Sequence, residues 1–163
     1  MRFGTMGLLG LLGLITAALS SGAAWAADAA PAASPLADGS ALAGLGFRDK
    51  PFVIAGDAFA ETMNRLAAER QKKCGALESF GWELQDDVQN HVDKLISSLM
   101  GSLRQAKFVV TEIRSKMFPN SELVVPYSAD RADRRLLLLL SLSPPTARDQ
   151  KAQFVLLICG VAH

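Results

Sequence analysis

Two cysteines are the residues of this chain with the clearest chemical potential. Cys74 and Cys159 are the only cysteines in the 163-residue sequence. An oxidising compartment allows two thiols to join in a disulfide, and closing a loop of this length stabilises a fold by about 4 to 5 kcal/mol on the chain-entropy model. The sequence therefore predicts a bridge between Cys74 and Cys159. Two separate buried thiols that pack as small hydrophobic side chains are the alternative.

A metal site is a second chemistry that these cysteines permit. Cys159 and His163 are four residues apart and would share one face of an extended strand. Cys74 or a methionine would supply a third soft ligand, a set that suits copper. A Cys-x-x-x-His pair recurs by chance, however, and a disulfide would consume both thiols. We expect no metal and no cofactor.

Acids and bases form no recognisable catalytic pattern. The sequence has two histidines, His91 and His163, and it lacks a Cys-x-x-Cys pair, a phosphate-binding glycine loop, His-Glu-x-x-His and Gly-x-Ser-x-Gly. Two carboxylate pairs have the residue types that glycoside hydrolysis needs: Asp86/Asp87 and Asp130/Asp133. Adjacent residues on a helix diverge by about 100°, and acids at a helix start complement the helix dipole. We expect no catalytic residue.

Residues 1–26 have the pattern of a cleavable secretory signal peptide. Arg2 supplies the positive charge, Met6–Leu19 is an uncharged apolar run, and Ala24-Trp25-Ala26 offers the small side chains that signal peptidase accepts. We expect cleavage after Ala26, with Ala27-Asp28-Ala29 as the second choice. A retained membrane anchor is the alternative, although an apolar run of fewer than about 18 residues is short for a span. The sequence predicts a periplasmic or secreted protein without a membrane span after cleavage.

The net charge of the predicted exported part indicates which classes of partner to expect. Arg2 is the only charged residue of the predicted signal peptide, so residues 27–163 carry 16 basic and 16 acidic side chains. Nucleic acids and anionic membranes select a clear basic excess, so neither is expected as a partner. We expect another extracytoplasmic protein as the partner, and no feature of the sequence specifies an oligomeric state.

Composition divides the exported part into two regions. Residues 27–45 are rich in alanine and proline and predict a flexible leader. Residues 46–163 are enough for one domain with one hydrophobic core. In that domain, apolar spacing predicts a first helix from Asp57, as N-cap, to a C-terminal Gly75, with Cys74 at its inner end.

A second, longer amphipathic helix is predicted from Leu84 to Leu103, and Leu77 and Phe80 fit its apolar stripe upstream. Residues 107–113 suit a helix by spacing and a strand by their β-branched content. The spacing slightly favours a helix, which would continue the preceding one past a kink.

Strand patterns dominate the C-terminal third. A short strand is predicted over residues 122–127, where Pro126 indicates an edge or a bulge. Residues 134–143 and 153–162 predict an antiparallel hairpin. The leucine run 136–140 does not alternate with polar residues, which indicates a strand covered on both faces. The predicted fold class is α+β, with N-terminal helices packed on a small C-terminal antiparallel sheet of about three strands.

These features favour a small exported, non-catalytic protein that acts in binding, as an adaptor or in assembly support. A small α+β domain with an edge strand can bind peptides by strand addition. A small exported enzyme without a recognisable motif is one alternative. A carrier of a hydrophobic ligand is another, and it would show a large apolar cavity.

Overall fold

The computed structural model describes residues 34–55, 57, 59–84, 87–145 and 151–161. The predicted signal peptide, residues 27–33 of the predicted leader, Asp86 and His163 lie outside the described residues. Among the described residues, no helix has the length and apolar character needed to cross a membrane.

The described elements are, in chain order, β1 (Gly39–Ser40), β2 (Leu45–Gly46), β3 (Phe52–Val53), α1 (Ala60–Glu69), β4 (Cys74–Glu83), α2 (Val88–Gln105), β5 (Val109–Glu112), β6 (Val124–Arg131), β7 (Arg134–Ser143) and β8 (Gln153–Val161). Six of these strands form one antiparallel sheet in the order β3-β4-β8-β7-β6-β5, and β1 pairs with β2.

One helix packs on each face of this sheet. The α1 face carries a core that includes Met63 and Leu66 of α1. The α2 face carries a core that includes Leu95, Leu99 and Leu103 of α2. Both faces are therefore buried near the middle of the sheet.

The leucine run of β7 shows why both helices are needed. Leu136, Leu138 and Leu140 belong to the core on the α2 face, whereas Leu137 and Leu139 belong to the core on the α1 face. All five are almost completely buried. The predicted coverage of this strand on both faces is confirmed, because adjacent residues of a strand point to opposite faces.

The predicted fold class is wrong: helices do not pack on a sheet of about three strands, because the sheet has six. Residues 74–83 form β4 and pair along their length with β8. Phe80 and Trp82 alternate with exposed or small neighbours and fill the core on the α2 face. The spacing between Leu77 and Phe80 imitates a helical stripe, but pairing with β8 decides the conformation.

The slight preference for a helix over residues 107–113 is also wrong. Helix α2 ends at Gln105, and Lys107 has a positive φ of 67°. The Phe108 N–H then donates to the Leu103 carbonyl and the Lys107 N–H to the Arg104 carbonyl. This pair of bonds is a Schellman motif. It stops the helix and turns the chain into β5.

The predicted hairpin is present as β7 and β8, which pair from Arg135 to Ser143. The predicted edge position of Pro126 is wrong, because β6 lies between β7 and β5. The Ile113 N–H donates to the Pro126 carbonyl at 3.0 Å, just beyond the last residue of β5. The nitrogen of Pro126 also faces β5. Because proline has no N–H to donate, β6 accommodates it at this position, just beyond the last paired residue of β5.

Helix α1 is shorter than the helix predicted from Asp57 to Gly75. Its N-cap is Phe59, which makes no side-chain capping bond, so the predicted capping role of Asp57 is wrong. The helix ends at Glu69, and Gln71 has a positive φ of 55°. The chain thereby turns into β4, and Cys74 begins that strand.

Candidate functional site

Within the described residues, one edge of β4 is only partly paired. Strand β3 pairs with Phe80 and Gly81 of β4, and the Ile54 N–H donates to the Ser79 carbonyl at 3.0 Å. The phenyl ring of Phe52 packs against Gly81, where a larger residue would displace it. Within the described residues, no strand lies beside β4 before Ser79 on this side.

The backbone of Leu77 faces this open edge. Alternate residues of a strand direct their N–H and C=O groups to alternate sides, and Ser79 directs its carbonyl toward the β3 side. Leu77 is two residues away in the same uninterrupted register with β8. In the described part of the chain, no residue bonds to the N–H or C=O of Leu77 on that side.

A groove of about 460 Å³ lies along the open edge. Its lining is mostly apolar or small: Ala37, Gly39, Ala41, Val53, Ile54, Ala55, Asp57, Leu77, Glu78, Ser79 and Phe80. One wall is formed by Ala37, Gly39 and Ala41, and β4 forms the floor. The described residues of the other wall are Val53, Ile54, Ala55 and Asp57. We call this feature the β4 groove.

Glu78 fixes the first wall to the floor. Its carboxylate accepts hydrogen bonds from the Ser40 hydroxyl at 2.5 Å, the Ala41 N–H at 3.0 Å and the Leu42 N–H at 3.1 Å. The Ser40 hydroxyl also accepts from the Ala43 N–H at 2.9 Å, which closes the turn. Hydrogen bonds to a carboxylate are stronger than those between neutral groups, so Glu78 holds the turn after β1 against the sheet.

Further contacts secure the same wall. Arg134 donates from Nη1 to the Leu42 carbonyl at 2.5 Å. Gly39 has no room for a Cβ atom, because that atom would run into the Leu45 carbonyl oxygen across the β1–β2 pair. The described end of the predicted leader, from residue 34 onward, is thus paired and packed against the sheet.

The second wall is held by backbone bonds. The Val53 N–H donates to the Pro35 carbonyl at 3.0 Å, and the Ala37 N–H donates to the Pro51 carbonyl at 2.8 Å. These bonds run between the two walls at the β3 end.

The predicted cysteine pair lies at the start of β4. Cys74 and Cys159 have their sulfur atoms at bonding distance and their Cα atoms 5.7 Å apart, which agrees with the predicted pairing. Cys159 is fully buried in the core on the α1 face. A β-bulge separates Cys74 from Leu77, and Leu77 lies opposite Cys159.

The charges that line the β4 groove are both negative. Asp57 and Glu78 are the charged residues among its described lining. The nearby Asp38 is paired with Lys50 at 2.5 Å, and the hydrogen bond and charge of Lys50 lower the pKa of Asp38. Asp57 has no ion pair within the described residues.

The described members of the two carboxylate pairs make structural contacts. Asp87 caps α2 by accepting from the Asn90 N–H at 3.3 Å. Asp130 lies 3.8 Å from Arg135. Asp133 lies 2.6 Å from Arg131, and that hydrogen bond lowers the pKa of Asp133. Asp86 lies outside the described residues, and Asp87, Asp130 and Asp133 each make one of these separate contacts.

Of the two histidines, His91 alone lies within the described residues. His91 lies half-buried on α2. The predicted partner of Cys159 in a metal site, His163, falls outside the described residues. No group of three or more histidine, cysteine, aspartate or glutamate side chains within the described ranges could hold a metal ion.

Trp82 fills the core rather than lining the β4 groove. Its indole Nε1 donates to the Asp49 carbonyl at 2.8 Å, and its ring packs against Phe47 and Phe154. A cavity of about 20 Å³ beside it has room for about one water molecule.

Sequence reasoning missed the residues that form the β4 groove. Glu78 and Ser40 are 38 positions apart, and Ser40 lies in the region predicted to be a flexible leader. The alternation of Phe80, Trp82 and Leu84 was the available indication of a strand. No protein-family model, curated protein or solved structure in the comparisons matches this chain.

Proposed function

We propose that this protein is an exported, non-catalytic binding module that captures an extended segment of another extracytoplasmic protein. The segment adds as a strand to the open edge of β4. The observation that supports this function is the backbone of Leu77, which faces the β4 groove without a described hydrogen-bond partner. Strand addition satisfies such groups with main-chain hydrogen bonds, and the flanking pockets select the side chains.

The size and walls of the β4 groove fit this role. Its volume of about 460 Å³ lies in the range of about 300 to 1,000 Å³ that is typical of ligand clefts. Glu78 and Arg134 hold one wall to the sheet. A wall that is already in place costs little conformational entropy when a ligand binds.

The lining favours binding over catalysis. Both carboxylate oxygens of Glu78 accept hydrogen bonds from the turn at Ser40–Leu42, so this group is occupied by a structural task. The other lining residues are apolar, apart from Ser79 and Asp57. General acid–base chemistry needs a positioned group that is available to the substrate.

The cysteine pair supports an extracytoplasmic location. A disulfide persists in oxidising compartments such as the periplasm or the extracellular medium. Cys74 and Cys159 lie at disulfide distance, which is compatible with delivery by the predicted signal peptide at residues 1–26.

Site-specific photo-crosslinking tests the proposed function. A photoreactive side chain at Ala55, an exposed residue of the β4 groove, is compared in the native cells with one at Ala132, an exposed residue of the β6–β7 turn. We expect a discrete product at Ala55 alone, joined to an extended segment of one partner and lost in an Ala41→Trp variant. Identical products from both positions, or products that persist in Ala41→Trp, would contradict the proposal.

A further inference from the structure

We infer that the segment bound in the β4 groove carries a lysine or arginine between two apolar residues. This inference rests on the proposed function and names the chemistry of the partner. Charge and side-chain alternation in the β4 groove both lead to it.

The charge argument begins with the lining. Its charged groups among the described residues are the carboxylates of Asp57 and Glu78, and no lysine or arginine is found there. The nearby Lys50 is engaged by Asp38, and Arg134 is engaged by the carbonyl of Leu42. An acidic partner segment would meet repulsion without compensation, whereas a basic one would meet complementary charge.

The alternation argument uses the two faces of the sheet. Leu77 and Ile54 both pack against the core on the α1 face. Glu78 is the next residue of β4, so its side chain points to the opposite face. An added strand directs alternate side chains to the same two faces. Its residues beside Leu77 meet apolar surface, and the residue between them lies on the side of Glu78.

Three labelled peptides provide the probe. Each is an acetylated, amidated pentapeptide with the pattern Ala-Val-x-Val-Ala, in which x is lysine, glutamine or glutamate. Binding to the purified, oxidised full-length exported protein is measured by fluorescence anisotropy. We expect the lysine peptide to bind about fivefold more tightly than the glutamine peptide, the scale of one partly exposed ion pair. The glutamate peptide should bind most weakly, and the differences should shrink at high salt.

Two variants connect this preference to the β4 groove. Asp57→Asn should reduce the advantage of the lysine peptide and leave the affinity for the glutamine peptide unchanged. Glu122→Gln is the matched control, because Glu122 is an exposed carboxylate that does not line the groove, and it should change nothing. Asp57 lies before α1 and makes no side-chain capping bond to it, so Asp57→Asn should preserve the fold.

The outcomes separate the inference from the proposed function. Equal binding of all three peptides, with loss of binding in Ala55→Trp, would contradict the inference on charge and leave strand capture in place. Failure of all three to bind, or binding that survives Ala55→Trp, would contradict both. Self-association that Ala55→Trp abolishes would identify a second copy of this chain as the occupant and overturn both.

Discussion

Leu77 lies directly opposite Cys159 in the pairing of β4 with β8. The neighbour of Leu77 on the side away from the open edge is therefore a fully buried cysteine. Cys159 is in turn paired with Cys74, three residues before Leu77 and across a β-bulge. Leu77 thus has a backbone without a described partner on the β3 side and a buried, cross-linked strand on the β8 side.

Removal of the disulfide should destabilise the whole fold. Cys74 and Cys159 are 85 residues apart in the sequence, and a bridge of that span destabilises the unfolded chain by about 4 to 5 kcal/mol. Urea denaturation of Cys74→Ala/Cys159→Ala should show a loss of that order in the free energy of unfolding. The reduced native sequence is the control and should match the double variant. A loss below about 1 kcal/mol would show that the bridge does not stabilise the fold.

Glu78→Gln should loosen the turn at Ser40–Leu42. The amide retains one acceptor oxygen where the carboxylate offers two, and three donors converge there. We expect a loss of about 1 to 3 kcal/mol in the free energy of unfolding. Amide exchange at Ala41 and Leu42 should also become faster. Ser40→Ala should give a smaller loss, and equal protection of both amides in Glu78→Gln and the native protein would refute this role.

Two adjacent leucines test the burial of β7 on both faces. Leu138 is fully buried on the α2 face and Leu139 is 3% exposed on the α1 face. Leu138→Ala and Leu139→Ala should each lower the free energy of unfolding by about 2 to 5 kcal/mol. A sheet with one solvated face would instead tolerate one of the two, so chemical denaturation of both variants distinguishes the arrangements.

Proline substitutions test whether residues 109–112 form a strand. The Ile113 N–H donates to the Pro126 carbonyl of β6. Because alternate residues of a strand direct their N–H groups to the same side, the N–H of Thr111 also points toward β6, and that of Glu112 points away. Thr111→Pro should destabilise the protein by about 3 kcal/mol, and Glu112→Pro should cost much less. Equal losses in thermal denaturation would indicate a helix, in which neither N–H is dispensable.

Local periodicity in the sequence predicted those elements that bury an uninterrupted row of apolar side chains. In β7 the leucines follow one another without interruption, and in α2 the apolar residues recur at every turn. Both patterns predict buried side chains. Strand β4 was missed because Leu77 and Phe80 fit a helical spacing, while its pairing with β8 depends on residues far away in the sequence. Propensity does not decide such a segment when a partner strand is available.

The candidate site was less accessible to sequence reasoning. The cysteine pair could be predicted from the count and the compartment. The contact of Glu78 with Ser40 joins residues 38 positions apart and has no local pattern. An open edge is a property of the assembled sheet, because it depends on where β3 stops.

The amide of Leu77 provides the most direct measurement of strand capture. By alternation from Ser79, its N–H points to the side of β4 on which the described residues give it no partner. It should therefore exchange rapidly with solvent in the free protein. Hydrogen-exchange NMR with a saturating lysine pentapeptide should then show strong protection of Leu77 and no change at Thr111. A Leu77 amide that is already protected in the free protein, or stays unprotected at saturation, would contradict strand addition at this edge.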